Sequence, residues 1–228
     1  MSGPVLELEA ARAEPGSSPV AGAMTLRLEP GDLALVRADD PAMARALALF
    51  CAGLVKLRDG TARFLGQDWS GLRRRPAQAL RGRIGLAPGD GGWLPHLTVA
   101  EGMLLSRRHH DDTPDAALRD QADALSRQFG LPGMPLVHPA ELSRADLARA
   151  GCARAFLGKP ALVLLESPLD RETADALAEP LLAALEPARA RGAAILWSTR
   201  SRRAWETEGF PATQWWELQE DGLCPAPP

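Results

Sequence analysis

The stretch Leu33-Ala-Leu-Val-Arg-Ala-Asp-Asp-Pro-Ala-Met-Ala-Arg-Ala-Leu-Ala-Leu-Phe-Cys-Ala-Gly-Leu54 organises the reading of the whole chain. Leu33, Ala34, Leu35 and Val36 form a continuous apolar run after the turn signal Pro30-Gly31-Asp32, which predicts a strand covered on both faces. Leu47, Phe50, Cys51 and Leu54 then recur at helical spacing, which predicts a helix packed back on that strand. Asp40-Pro41 reads as the helix start, with Asp40 as N-cap, Pro41 at the first helical position and Gly53 just past the end.

Strand, loop and helix in this order is where mononucleotide folds cradle phosphate, in a glycine-rich loop closed by Lys and Ser or Thr. Here the loop holds no glycine and no lysine. A cradle needs successive backbone N–H groups converging on the anion, and Pro41 has none to offer. Ala44 cannot reach a phosphate oxygen. The Asp40 carboxylate takes the place of the phosphate, satisfies the same helix N-terminal donors and repels an incoming anion. Arg37 and Arg45 read as solvated arginines, with a partial offset of that repulsion as the alternative.

Working outward, Val5-Leu-Glu-Leu-Glu9 alternates as a half-exposed strand, and Met24-Thr-Leu-Arg-Leu28 is a second. A turn at Asp59-Gly60 feeds a strand ending near Leu65, a basic segment holds Arg73, Arg74 and Arg75, and Ile84-Gly-Leu-Ala87 is a further strand. Leu97 to Leu105 and Ala116 to Phe129 read as helices separated by the polar run Arg107 to Thr113. Leu142 to Leu157 is a third, opened by Ser143 with Asp146 three residues on, a capping-box pattern. Ala161 to Leu165 and Gly192 to Trp197 are buried strands joined by an amphipathic helix over Asp170 to Arg191, which implies a parallel sheet. A hairpin around Asp221-Gly222 closes the chain, Trp215-Trp216 pack in it, and Pro225-Ala-Pro-Pro228 is expected to fray.

The composition is that of a globular protein of 228 residues, 46% apolar and 24% charged, enough for one large domain or a core with an inserted subdomain. Net charge is −3 with a pI near 5.9, which removes the global electrostatic case for nucleic acid or an anionic membrane surface. Arginine dominates the basic residues, leaving Lys56 and Lys159. Cys51, Cys152 and Cys224 are far apart, with neither zinc spacing nor a CxxC pair, and point to a reducing compartment. The first residues lack the basic and apolar regions of a signal peptide, and no run approaches the roughly 18 apolar residues of a spanning helix. The expectation is a cytoplasmic protein; if it works at a membrane, something else must hold it there. His109-His110-Asp111-Asp112 has metal-ligating residue types but reads as a solvated loop.

With these positions in hand, the chain resembles the ATP-binding subunit of an ABC transporter over nearly its whole length. Leu142-Ser-Arg-Ala-Asp-Leu-Ala-Arg-Ala-Gly-Cys-Ala-Arg-Ala-Phe-Leu-Gly-Lys-Pro160 follows the frame of the family signature LSGGQ and its helix. Ala161-Leu-Val-Leu-Leu-Glu-Ser-Pro-Leu-Asp170 follows the Walker B strand and D-loop. Leu94-Pro-His-Leu-Thr-Val-Ala-Glu101 is similar to the segment after the Q-loop, and Ile195-Leu-Trp-Ser-Thr-Arg200 to the strand ending in the switch histidine. The resemblance implies an α/β fold: a P-loop NTPase-like core with a parallel sheet, N-terminal antiparallel strands and an inserted helical subdomain. The implied division is one ABC ATPase-like domain over 1–228, with its core at 1–95 and 158–228 and the helical subdomain at 96–157.

The functional positions depart from the family. The Walker A glycines fall on Ala38, Pro41 and Met43, its lysine on Ala44 and its Ser/Thr on Arg45. The Q-loop glutamine falls near Gly89. Leu142 and Ser143 keep the start of the signature, while Arg144, Ala145 and Asp146 replace glycine, glycine and glutamine. The Walker B aspartate becomes Glu166, the catalytic glutamate becomes Ser167, which cannot serve as a general base for water, and the histidine becomes Arg200. No aromatic residue precedes Phe50, so the usual adenine-stacking ring is missing. The degenerate nucleotide site implied is thus Ala38, Asp40, Pro41, Met43, Ala44, Arg45, Gly89, Ser143, Arg144, Glu166, Ser167 and Arg200.

Phosphoryl transfer depends on positioning and charge stabilisation, so these losses together predict little or no hydrolysis. The resemblance implies ATP and magnesium as the family's ligands, and Glu166 is the candidate magnesium ligand, with capping of a neighbouring loop as its plainer role. Arg144, Arg200 and Arg45 form either a replacement phosphate clamp or solvated groups paired with Asp39 and Asp146. The expectation is a pseudo-ATPase that docks a permease helix in the groove between core and helical subdomain through Trp93, Leu94, Pro95, Leu97 and Val99. It pairs with itself or with an active ATPase subunit. The alternatives are an unconventional ATPase and a soluble scaffold with no membrane partner.

Overall fold

Period-two alternation in the central strand sends its side chains to two separate cores. The computed structural model describes residues 3–110, 113–169, 174–200, 205 and 210–227. β1 (Leu6–Ala13), β2 (Met24–Leu28), β4 (Leu57–Phe64) and β5 (Gln67–Asp68) form an antiparallel sheet in the order β2-β1-β4-β5. β3 (Leu33–Arg37), β6 (Ile84–Ala87), β7 (Leu162–Glu166), β8 (Ala194–Thr199), β9 (Gln214–Gln219) and β10 (Gly222–Pro225) form the second sheet. Its order is β10-β9-β3-β8-β7-β6, parallel from β9 to β6 and closed by the antiparallel β9–β10 hairpin.

Ala34 and Val36 of β3, with Leu162, Leu164, Ala194 and Leu196, face the antiparallel sheet and α1 (Pro41–Cys51), where Leu6, Leu8, Leu26, Phe50 and Phe64 are buried. Leu33 and Leu35, with Val163, Leu165, Ile195 and Trp197, face the other way. That side is covered by α3 (Val99–His110), α4 (Asp115–Gln128), α5 (Arg144–Phe156) and α6 (Ala174–Ala190), which bury Val99, Met103, Phe129, Phe156 and Leu181. A short helix α2 (Arg74–Arg81) precedes β6. A strand flanked by apolar layers on both sides needs the unbroken apolar run seen at Leu33–Val36.

Several expectations change in three dimensions. Leu54 lies past the end of α1 and is 57% exposed, because the chain leaves the helix through Ala52 and Gly53. Asp59-Gly60 is not a turn; β4 runs through it, and a β-bulge opposite Ala10 accommodates the positive φ of Gly60. A Cβ on Gly60 would lie 2.3 Å from the Ala10 carbonyl oxygen, so glycine is required there. The run beginning at Arg107 is not a loop: Arg107 to His110 form the last turn of α3, and buried Arg107 donates to the Gly82 carbonyl. The C-terminal tail does not fray within the described residues. Pro225 belongs to β10, the Ala226 N–H donates to the Trp215 carbonyl, and Trp205 Nε1 donates to Pro227 O.

The helical layer carries an acid-sensitive link. Asp115, at the start of α4, takes Arg108 of α3 and Arg119 of α4, each at 2.7 Å. Hydrogen bonds from these guanidiniums, and then their charge, hold its carboxyl down to about 2, below the usual 3.8. A depressed carboxyl stabilises the fold above its unfolded pKa and loses that contribution as pH falls through the folded one. At low salt, Asp115→Asn therefore flattens the acid limb of stability between about pH 4 and 2. Identical acid melts of the variant and the wild type would contradict the link.

Candidate functional site

The site forms where α1 starts, the segment after β6 passes, and β7 and β8 end. Asp40 caps α1 as its sequence position predicts: its carboxylate accepts from Ala42 N at 2.8 Å, with Pro41 at the first helical position. Ala38 is buried and its N–H donates to Thr199 O, extending the β3–β8 ladder. Met43 is buried in the core beneath the antiparallel sheet.

A cavity of about 310 Å³ brings together Pro41, Ala44, Arg45, Gly89, Glu166, Ser167 and Arg200. Ala42 and Asp90, which the sequence reading passed over, also line it. Arg45 is not the solvated arginine expected. Its Nη1 lies 3.0 Å from Glu166 Oε1, and Glu166 Oε2 accepts from Gly89 N at 3.1 Å. Both carboxylate oxygens of Glu166 are thus engaged, one by a guanidinium and one by a backbone N–H, and the loop-capping role holds. Ser167 follows with φ +49°, a left-handed conformation uncommon for a residue with a Cβ, and its N–H donates to Ser198 O at 2.8 Å.

Ser143 and Arg144 stand apart from this cavity. Ser143 is the N-cap of α5, accepting from Asp146 N at 3.1 Å. Arg144 lines a neighbouring cleft of about 710 Å³, with Trp93, Leu147, Cys152, Glu166 and Ser167. Asp146 pairs with Arg149 rather than Arg144, and Asp39 is not the partner Arg45 takes.

These residues do not supply the backbone cradle, lysine and free carboxylate with which the resembled family holds its nucleotide. Pro41 offers no N–H, the Asp40 carboxylate already occupies a helix N-terminal donor, Ala44 has no cation to offer, and a guanidinium sits on the candidate magnesium ligand. No group of three or more His, Cys, Asp or Glu able to hold a metal occurs among the described residues. His109 and His110 meet edge-on at the end of α3, and Asp111 and Asp112 lie outside the described residues, as does Asp170 of the D-loop match.

The expected docking segment is split. Leu94, 42% exposed, lines a groove of about 630 Å³ between β6 and α3, with Leu86, Met103, Leu105, His109 and His110. Val99 is fully buried in the core and presents nothing to a partner, a correction to the sequence reading. Trp93 lines the 710 Å³ cleft instead, with the Arg154 guanidinium 4.3 Å above its ring. Pro95 is exposed and Leu97 half-buried, and neither lines the groove. The helix that follows this segment, α3, also lines the groove: it runs to His110, so that Leu105, His109 and His110 reach it.

The cysteines lie outside these clefts save Cys152. Burial pushes the Cys51 and Cys152 thiols up to about 12, and Cys224 is exposed. Native protein should therefore react with a thiol probe at Cys224 alone, and at three sites after denaturation. Rapid labelling of two or three thiols in the native protein would contradict the packing around α1 and α5.

No protein-family model matches the chain. In sequence it is 31% identical over 177 residues to the lipoprotein-releasing system ATP-binding protein LolD of Pseudomonas fluorescens, covering 74% of this chain and 75% of that one. It is 27% identical over 180 residues to the cell division ATP-binding protein FtsE of Escherichia coli K12, covering 77% and 78%. It is 30% identical over 161 residues to the methionine import ATP-binding protein MetN of Rhizobium etli, covering 69% of this chain and 44% of that protein. In structure it matches the dimeric bacterial ABC transporter cassette MJ0796 with a TM-score of 0.80 at 16% identity, over 96% of each chain. The same cassette in a post-hydrolysis state bound to ADP and Pi gives a TM-score of 0.78.

Proposed function

The chain belongs to the ATP-binding proteins of ABC transporters, and from that membership and the composition of its nucleotide site we propose that it is a pseudo-ATPase subunit. It docks on the cytoplasmic face of a permease and has a structural or regulatory role in transport. The observation that carries this reading is the pairing of Glu166 with Arg45 beside an α1 N-terminus capped by Asp40. Charges of the protein itself take up the positions where phosphate and magnesium would need partners.

The docking part rests on the 630 Å³ groove, where Leu94 and Leu105 remain exposed. Helix-in-groove recognition needs shape and apolar surface, not hydrolysis. The subunit is peripheral to the membrane through the permease, and among the described residues no helix is long and apolar enough to cross a membrane. It acts as one cassette, core 1–95 and 158–228 with the helical subdomain 96–157, pairing with a second copy or with an active ATPase subunit.

The test is a thermal melt with and without millimolar MgATP. A ligand that binds only the native state stabilises it by about 2.7 kcal/mol at a hundred times its Kd. For a domain of this size that raises Tm by roughly 5–11 °C. We expect no rise, and no phosphate release. A second reading is favoured by the presence of Arg45 and Arg200 in one cavity, in which arginines hold the nucleotide's phosphates. A clear MgATP-dependent rise would select it and overturn the pseudo-ATPase assignment.

A further inference from the structure

The segment from Pro88 to Leu94 forms a wall of all three clefts. Gly89 borders the 310 Å³ cavity, Gly89 and Trp93 the 710 Å³ cleft, and Pro88, Gly92 and Leu94 the 630 Å³ groove. Its sequence, Pro-Gly-Asp-Gly-Gly-Trp-Leu, has little conformational preference of its own. Gly91 and Gly92 take φ +84° and +56°, and a Cβ on Gly91 would lie 2.8 Å from the Trp93 ring. A segment with so much freedom stays in one place only where other groups tie it down.

Those ties come from both sides. At one end, Glu166 of β7 accepts from Gly89 N and is itself held by Arg45 of α1. At the other, Arg154 of α5 donates to Gly91 O at 2.7 Å and stacks on Trp93. Burial lowers the Arg154 pKa to about 10, so it remains charged at neutral pH. Between the two anchors, Gly91 N donates to Pro88 O and Gly92 N to Asp90 Oδ1. Arg45 also lines the groove, so the pair that fills the nucleotide position borders the surface offered to a partner.

We infer that Arg45 and Glu166 act as a built-in ligand that latches the 88–94 segment, together with Arg154, and so keeps the groove preformed. This deepens the pseudo-ATPase reading and rests on it: the groove's wall is positioned by protein charges that no nucleotide has to supply. The two anchors act as one unit because the short segment between them transmits position from one to the other.

The test is amide and indole hydrogen exchange, by NMR on the full chain, in the wild type and in Glu166→Ala, Arg45→Met and Arg154→Met. In Glu166→Ala the Gly91 amide and Trp93 indole N–H, which do not touch Glu166, should exchange at least about tenfold faster. The Ile195 amide in β8 should keep its protection. Arg154→Met should accelerate the Gly89 amide in the same way. If Glu166→Ala accelerates only the Gly89 amide, whose acceptor it removes, and Arg154→Met, which removes the donor to Gly91 O, leaves the Gly89 amide at its wild-type rate, the latch is overturned. Should Glu166→Ala not fold, Arg45→Met and Arg154→Met decide by the same amides. MgATP added to the wild type separates the two readings. Slower exchange at Gly89 to Gly92 would sink the pseudo-ATPase reading while leaving the coupling between anchors intact; no MgATP effect together with uncoupled variants would sink the latch alone.

Discussion

Trp197→Ala should lower the melting temperature by roughly 6–20 °C. Trp197 is fully buried in β8, in register with Leu35 of β3 on one side and Leu165 of β7 on the other, and meets Phe210 edge-on at 5.4 Å. Truncating a large buried aromatic costs about 3–5 kcal/mol through lost transfer energy and an unfilled cavity. A domain of this size converts that at about 2–4 °C per kcal/mol. Trp197→Phe should cost far less. It retains most of the apolar volume and removes an indole N–H that is buried without a hydrogen-bond partner among the described residues, a burden of about 1–3 kcal/mol. The variant also reports on the site, since the next residue, Ser198, accepts from the Ser167 N–H. A Tm within about 2 °C of the wild type for Trp197→Ala would mean that β8 is not the central packed strand described.

The second large effect is expected from one methyl group at Gly85. A Cβ there would lie 1.8 Å from the Ala155 carbonyl oxygen, so the backbones of β6 and α5 meet directly. Neither group can rotate away, and Gly85→Ala forces α5 off the sheet. Overpacking costs about 1–3 kcal/mol, occasionally more, and the backbone clash puts this case at the top of that range, a fall of roughly 6–12 °C. Gly85 also lines the 630 Å³ groove, and α5 carries Arg154, so the change should disturb the clamp on Gly91 as well. Gly71→Ala is the matched control, because nothing lies within 4 Å of the added Cβ. If the two alanine variants melt together, the close approach of β6 and α5 is wrong.

Much of the fold was legible because its signals are local. Asp40-Pro41 announces the start of α1 within a few residues, since capping involves only the first turn. Ser143 does the same for α5. Ile84–Ala87 and Met24–Leu28 coincide with their strands because alternation and apolar runs are set by a residue's nearest neighbours. The parallel β7–β8 pairing followed from strand, helix, strand connectivity and its handedness rule. The loss of the phosphate cradle was equally local: Pro41 has no N–H wherever it is placed.

The misreadings share one physical cause, which is competition from groups distant in sequence. Asp59-Gly60 looks like a turn until a paired β1 absorbs the extra residue as a bulge. Arg107 to His110 looks like a polar loop until Gly82 offers a carbonyl that lets Arg107 be buried at a helix end. The tail looks free until the Trp215 carbonyl and the Trp205 indole take up its backbone groups.

The sequence by itself determined the α/β class, the order of the elements, the capped α1 and the absence of a lysine or glycine from the β3–α1 loop. All of these depend on covalent neighbours and on the periods of helix and strand. Only the tertiary structure decided what fills the site. Arg45 and Glu166 are separated by 121 positions, and the sheet order is what places α1 beside the end of β7. It also turned Val99 inward and left Leu94 and Leu105 outward, because burial depends on which surfaces the packed layers cover, and a residue's type alone does not specify that.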